Sequence, residues 1–227
     1  MTGSNAQSGI LDRLSSGETL VFDGATGTYL QKHGLEPGGS PELMNANEPE
    51  VIQGMAKQYF DAGSDIVLTN TFGGNRFMLE KYGAGDLVFE LNRLGAEHAR
   101  SVAPPGKFVA GSIGPTGEFI EPLGTVTEED LYDTFAEMAT AFETGGADAV
   151  MIETQLAIEE ASIAVRAAKD NTNLVVMSTM VFDKGPRGYF TMMGVTPEEA
   201  VKEIRKKGAD VVGANCGNGI ENMVMIS

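Results

Sequence analysis

The chain has 227 residues, of which 42% are hydrophobic, so it is long enough for one large α/β domain or two small ones. Its 32 acidic and 16 basic residues give a formal net charge of −16, which argues against nucleic acid and against an anionic membrane surface as partners. We expect no membrane association, since no apolar run approaches the roughly 18 residues of a spanning helix. A single cysteine cannot form an internal disulfide, so we expect a reducing, cytoplasmic location.

The first 18 residues are predicted to be a polar lead-in, with residues 1–9 disordered and without the apolar segment of a signal peptide. Residues 19–227 are predicted to form one domain, in which short apolar strands alternate with amphipathic helices. Strands are predicted at residues 20–22, 65–69, 107–112, 148–152, 174–179 and 210–215. Helices are predicted at residues 49–62, 86–102 and 158–169. Two further helices are predicted to begin at capping boxes, at residues 127–130 and 196–199. An exposed turn is predicted at residues 185–188.

One five-residue pattern occurs three times, at residues 63–67, 146–150 and 208–212. Each copy has a glycine typical of a helix C-cap, then a small residue, an aspartate and the start of a buried strand. Alignment of the copies places equivalent residues at the strand ends: first Asn70, Glu153 and Asn215, then Thr71, Thr154 and Cys216.

The alternation of apolar strands and amphipathic helices indicates parallel strands that are buried on both faces. Repetition of a βα unit favours a barrel, and an open doubly wound sheet is the alternative. The predicted fold class is therefore α/β, a (β/α)8 TIM-barrel type, with about six βα units where a closed barrel has eight. Three explanations stay open: a fragment incomplete at its C-terminus, completion by a partner, or a six-stranded variant. Exposed strand edges would favour a homo-oligomer.

Functional residues of a parallel barrel lie at the carboxyl ends of its strands. In this chain those positions are polar: Asp23, Asn70, Ser112, Glu153, Thr179 and Asn215. Asp23 and Glu153 can bind an ammonium group, and the backbone amides that follow Asp23 can bind a carboxylate. Together they predict a site for an α-amino acid. The alternatives are a helix N-cap for Asp23 and a buried ion pair for Glu153.

Cys216 has three possible roles: an inert packing residue, a nucleophile or a zinc ligand. A nucleophile usually has a neighbouring base, and a structural zinc site has three or four thiolate or imidazole ligands. The chain has one cysteine and two isolated histidines, His33 and His98. A Schiff-base aldolase is disfavoured because it needs a lysine at a strand end, whereas Lys107 begins a strand.

Five motifs stand in order at residues 20–28 (Leu-Val-Phe-Asp-Gly-Ala-Thr-Gly-Thr), 69–73 (Thr-Asn-Thr-Phe-Gly), 111–117 (Gly-Ser-Ile-Gly-Pro-Thr-Gly), 152–154 (Ile-Glu-Thr) and 213–217 (Gly-Ala-Asn-Cys-Gly). This series resembles the homocysteine S-methyltransferase family, which includes the homocysteine-binding module of cobalamin-dependent methionine synthase and the betaine–homocysteine methyltransferases. The resemblance runs from about Leu20 to the end of the chain. It implies a (β/α)8 barrel that transfers a methyl group to homocysteine and so forms methionine.

The resemblance also implies roles for individual residues. Asp23 and Glu153 would hold the substrate ammonium, and the amides of Gly24 and Ala25 would hold its carboxylate. Cys216 would be the first of three cysteine ligands to zinc. Asn70 and Ser112 complete the predicted substrate site. The family's other two ligands are an adjacent cysteine pair, which this sequence does not contain.

The expected cofactor is zinc, and the expected partners are homocysteine and a methyl donor or a corrinoid protein. The donor would be a methylcorrinoid and methylfolate system or betaine, with any methylcobalamin on another domain or protein. The alternative function is a non-catalytic or partner-dependent barrel subunit that lacks a complete zinc site.

Overall fold

A computed structural model describes residues 4–217 and 219–227. Within them, five parallel strands form one sheet in the order β1–β2–β3–β4–β7: β1 (Ile66–Leu68), β2 (Phe108–Ile113), β3 (Ala149–Gln155), β4 (Val175–Met180) and β7 (Val211–Ala214). Between β4 and β7 in the chain, β5 (Asp183–Gly185) and β6 (Gly188–Phe190) form an antiparallel hairpin. The turn predicted at residues 185–188 is the tip of this hairpin.

Helices connect the parallel strands. They are α1 (Ser4–Ser15), α2 (Gly27–Lys32), α3 (Met44–Asn47), α4 (Pro49–Asp61), α5 (Arg76–Glu80), α6 (Val88–Val102), α7 (Glu128–Thr144), α8 (Ile158–Asn171), α9 (Pro197–Lys206) and α10 (Gly219–Ile226), with one turn of 3-10 helix at Gly85–Leu87. Both predicted capping boxes are confirmed, at Thr127 with Asp130 and at Thr196 with Glu199. No helix of the described residues is long and apolar enough to cross a bilayer.

The predicted first strand is wrong, because residues 20–22 form only an isolated parallel bridge, between Phe22 and Ile66. The backbone of this segment makes few hydrogen bonds to β1: the Val21 carbonyl accepts from Ile66 N at 3.1 Å, and Asp23 N donates to the Ile66 carbonyl at 3.1 Å. Val21 is 54% exposed, so this segment lies at the edge of the sheet without burial on both faces. The bridge nevertheless brings Asp23 to the end of β1.

The sheet separates two cores. Its outer face packs against the helices, with Phe135 and Phe142 of α7 fully buried. Its inner face carries a smaller cluster: Ile66, Phe108, Ala110, Ala149, Met151, Val175 and Met177. Ile10 of α1 is fully buried in this inner cluster. The disorder predicted for residues 1–9 is wrong for residues 4–9, which belong to α1, and Ile10 of that helix covers part of the apolar inner face; residues 1–3 lie outside the described part of the chain.

The repeated aspartates lie at the amino-terminal edge of the sheet. Each side chain accepts a hydrogen bond from a backbone N–H of the preceding strand or segment: Asp65 from Val21, Asp148 from Val109 and Asp210 from Val176. Each also pairs with a basic side chain: Asp65 with Lys107 and Arg13, Asp148 with Arg100, and Asp210 with Lys169. The repeat therefore joins successive strands at the edge opposite to the predicted site.

Candidate functional site

A cleft of about 790 Å³ opens at the carboxyl ends of the parallel strands. Its lining includes every residue that the sequence assigns to the site: Asp23, Gly24, Ala25, Asn70, Ser112, Glu153 and Cys216. Side chains alternate along a strand, so Ser112 and Glu153 continue the inner face two residues after Ala110 and Met151. Met151 and Met177 belong both to the inner core and to the cleft, whose floor they form.

Asp23 lies beside the end of β1. Its Oδ2 accepts a hydrogen bond from the backbone N of Leu68 at 2.9 Å. Burial, together with the negative charge of Glu153, raises the pKa of Asp23 to about 7 against the opposing effect of the Leu68 N–H. The N-cap of α2 is Thr26, so the alternative of Asp23 as a helix cap is wrong.

Glu153 follows Ile152 on β3 and points into the same cleft. Its Oε1 accepts a hydrogen bond from Ser112 Oγ at 2.7 Å, and burial raises the pKa of the carboxyl group against the effect of this bond. Two threonines of the motif at residues 69–73 hold Ser112: its backbone N donates to Thr69 Oγ1 at 3.0 Å, and its carbonyl accepts from Thr71 Oγ1 at 2.8 Å. No basic residue of the described chain pairs with Glu153, so a buried ion pair is not its role.

The turn after Asp23 presents backbone donors next to these acids. Gly24 and Ala25 are exposed, and within the described residues their amides donate to no protein group. Tyr59 of α4 fixes the turn, because its hydroxyl donates to the Ala25 carbonyl at 2.7 Å. A Cβ on Gly24 would lie 3.2 Å from that hydroxyl, so a larger residue there would require Tyr59 to move by a few tenths of an ångström. Tyr59 lies within the helix predicted at residues 49–62, and nothing in the sequence pattern of that helix distinguishes its hydroxyl.

Asn70 lines the cleft, but the nitrogen of its side-chain amide makes hydrogen bonds to other residues of the protein. Its Nδ2 donates to the Pro41 carbonyl at 2.7 Å and to Asn45 Oδ1 at 3.0 Å, which fixes the loop that carries Glu42. Glu42 is 4% exposed, lines the cleft and accepts from Gly73 N at 2.8 Å. It was missed because it lies in a loop without periodic pattern.

Cys216 follows β7 and is exposed at the rim of the cleft. Its sulfur lies 3.5 Å from Asn215 Nδ2 and 3.6 Å from Thr154 Oγ1. The histidines lie elsewhere: His33 stacks on Tyr29, and His98 contacts the Asn45 carbonyl.

Within residues 4–217 and 219–227, no three His, Cys, Asp or Glu side chains are arranged to hold a metal ion. These residues therefore do not by themselves form a zinc site of the usual kind, which has at least three protein ligands. No lysine of the described chain lines the cleft, which is inconsistent with a Schiff-base aldolase.

The fold and the site define a class: a parallel α/β protein with an acidic, amide-bearing cleft at the carboxyl ends of its strands. The sequence profile of the family described as homocysteine S-methyltransferase matches residues 20–226. The chain therefore belongs to the homocysteine S-methyltransferase family, as its motifs indicate.

Several known proteins are similar to this chain. A methionine synthase of Mycobacterium tuberculosis is 32% identical over 233 residues, covering 94% of this chain and 19% of the relative. Betaine–homocysteine S-methyltransferase 1 of Danio rerio is 33% identical over 214 residues, covering 92% of this chain and 51% of the relative. The chain thus spans about a fifth or about half of these relatives.

Structural similarity supports the fold. The oxidized form of the homocysteine methyltransferase MmuM from Escherichia coli superposes with a TM-score of 0.76 at 20% identity, covering 97% of this chain and 80% of that chain. The predicted α/β fold of TIM-barrel type is confirmed. Of the six predicted βα units, five have a strand in the parallel sheet, and the first contributes the Phe22 bridge.

Proposed function

We propose that the cleft binds homocysteine and holds its thiol for methylation to methionine. The observation that carries the proposal is the pair of carboxyl groups, Asp23 and Glu153, which face one cleft with raised pKa values and no basic partner among the described residues. Such a pair favours a cationic ligand, because a positive charge stabilises the ionised form of both acids. Family membership supports homocysteine as that ligand.

In the proposed complex, Asp23 and Glu153 bind the ammonium group of the amino acid. The exposed amides of Gly24 and Ala25 bind its carboxylate, since unpaired backbone N–H groups attract anions. Ser112 orients Glu153, and Asn70 fixes the loop that closes one side of the cleft. The thiol end of the ligand then extends towards Cys216, which orients the sulfur for an incoming methyl group.

Zinc is the proposed cofactor, with Cys216 as one ligand, as the family resemblance implies. When bound, zinc would favour the thiolate form of homocysteine. The described residues supply this one thiol and no group of three metal-binding side chains.

The methyl donor is proposed from the relatives alone. A donor system of methylcorrinoid and methylfolate fits the similarity to methionine synthase, with methylcobalamin on another domain or protein, and betaine fits the similarity to betaine–homocysteine S-methyltransferase 1. We further propose a cytoplasmic location, a homo-oligomer, and a homocysteine-binding barrel domain at residues 19–227, on whose inner face Ile10 of α1 packs.

Calorimetric titration of the 227-residue chain with homocysteine tests the proposal. 4-Mercaptobutyrate, which lacks the amino group, should bind at least about tenfold more weakly, because a hydrogen-bonded ion pair is lost. Asp23→Asn should remove most of this preference, whereas Asp183→Asn, on the exposed strand β5, should leave it unchanged. Equal affinity for both compounds would refute the assignment of the two acids.

Zinc per chain and methyl transfer decide between the enzyme and its alternative. Metal analysis of protein purified without added metal has two informative results: close to one zinc per chain would mean that other ligands complete the site around Cys216, and close to zero would mean that Cys216 alone does not hold the metal. In any form of the protein that has activity, Cys216→Ser should abolish both zinc binding and methyl transfer. Homocysteine binding without zinc would favour the alternative, a non-catalytic or partner-dependent barrel subunit.

A further inference from the structure

Asn215 connects three strand ends through the hydrogen bonds of its carboxamide group. It directly follows β7, and its Oδ1 accepts hydrogen bonds from Thr154 N at 2.9 Å and from Thr179 Oγ1 at 2.9 Å. Its Nδ2 donates to Thr154 Oγ1 at 2.8 Å. Thr154 belongs to β3 and Thr179 to β4, and β4 separates β3 from β7 in the sheet. The side chain therefore reaches across one whole strand at the carboxyl edge.

The residues that Asn215 contacts include two in an unusual backbone conformation. Thr154 and Cys216 both have φ of 60°, and they are the two non-glycine residues of the described chain with positive φ. A β-branched residue is rarely found in this region, because the conformation is strained unless its surroundings impose it. Asn215 bonds both the backbone and the hydroxyl of Thr154, which accounts for the conformation on β3.

The same amide nitrogen contacts the two reactive groups of the cleft. Asn215 Nδ2 lies 3.4 Å from Glu153 Oε2 and 3.5 Å from Cys216 Sγ. The other oxygen of Glu153 is held by Ser112 Oγ at 2.7 Å. The Glu153 carboxylate is thus held by Ser112 at one oxygen and by Asn215 at the other, and Asn215 also contacts the Cys216 thiol.

We infer that Asn215 is a positioning residue whose carboxamide sets the place of the Cys216 thiol relative to the Glu153 carboxylate. This inference rests on the proposed function for its consequence in ligand binding: one end of homocysteine meets Glu153, and its sulfur meets Cys216. The carboxamide suits the role because it accepts through one atom and donates through the other. An aspartate keeps the acceptor for Thr154 N and Thr179 but loses the donor and adds a negative charge.

Alkylation of the thiol tests this inference independently of homocysteine. The chain has one cysteine, so the rate of reaction with iodoacetamide, measured by mass spectrometry at pH 7, reports Cys216 alone. Asn215→Asp should change the rate at least about threefold, because the aspartate lacks the Nδ2 donor that lies 3.5 Å from the sulfur. Asn171→Asp is the matched control, since it adds the same charge at the end of α8 and should leave the rate unchanged. The rates after unfolding in denaturant give the effect of the neighbouring charge along the chain, and the threefold change is expected beyond that effect.

Homocysteine titration supplies the second measurement. Asn215→Ala should weaken binding at least about fivefold, because Glu153 loses one of its two hydrogen-bonding neighbours. Rates and affinities within twofold of the unsubstituted chain, in folded Asn215→Asp and Asn215→Ala, would overturn the inference. If Asn215→Ala does not fold, the aspartate variant decides. If the unsubstituted chain does not bind homocysteine, the proposed function fails, and the alkylation rates alone decide the role of Asn215.

Discussion

The buried carboxyl group of Asp23 should make homocysteine binding strongly dependent on pH below neutrality. An ammonium ligand needs the ionised carboxylate, and the pKa of Asp23 is about 7. With that value about 1% of the groups are ionised at pH 5 and about half at pH 7. The affinity should therefore rise about 50-fold between these two pH values, or ~2 kcal/mol, and gain no more than about twofold above pH 7. Glu153, whose pKa is also raised, should add to the slope in the same direction.

Calorimetric titration at constant ionic strength, in steps of half a pH unit from 5 to 8, measures this dependence. The amino group of homocysteine stays protonated between pH 5 and 7, so the change in that interval reports the protein. Asp23→Asn should bind weakly and lose most of the slope. A flat affinity from pH 5 to 7, or an unchanged slope in Asp23→Asn, would refute the assignment of Asp23 as the ammonium ligand.

Three further predictions concern stability. Ionisation of Asp23 opposes folding, because its pKa rises from 3.8 to about 7 in the folded state. Asp23→Asn should therefore raise the free energy of unfolding at pH 8 by up to about 4 kcal/mol, and the two forms should not differ below pH 3.8. Urea unfolding measures both values. Gly111→Ala should cost roughly 3 kcal/mol in the same assay, because its Cβ would overlap the ring of Phe142, whereas Gly27→Ala, with nothing near its Cβ, should be neutral or slightly stabilising. The pKa of Asp65 is lowered to about 2, chiefly by the N–H of Val21, so Asp65→Asn should lower the melting temperature at pH 7. This loss should shrink as the pH falls towards 2, and an equally large loss at pH 2 would show that it does not come from the ionised carboxylate.

The sequence predicted the position of the cleft because parallel strands end at one edge. Alignment of the three repeats brought Glu153 and Asn215 to equivalent strand ends, and in the structure they contact each other at 3.4 Å. Both capping boxes were predicted because their hydrogen bonds join residues three apart, so local sequence determines them.

Other parts of the site depend on contacts between distant segments, which no local pattern reports. Glu42 comes next to Gly73 through a loop, and Tyr59 reaches Ala25 from a helix that the sequence describes only by its apolar face. Residues 20–22 have the composition of a strand, but whether they form one depends on neighbours at the edge of the sheet. The short helices α2, α3 and α5 span fewer than seven residues each, too few to show a helical period.

The position of α1 has a practical consequence for shortened forms of this protein. A domain boundary chosen at residue 19 from sequence would delete Ile10, which packs in the cluster that contains Met151 and Met177. Those two methionines also line the cleft, so water admitted from the amino-terminal side would reach the back of the ligand site. A form that begins at residue 19 can therefore keep its helices folded and still bind its ligand poorly. Loss of binding in such a form would be mistaken for evidence that the residues at the carboxyl ends of the strands do not bind the ligand.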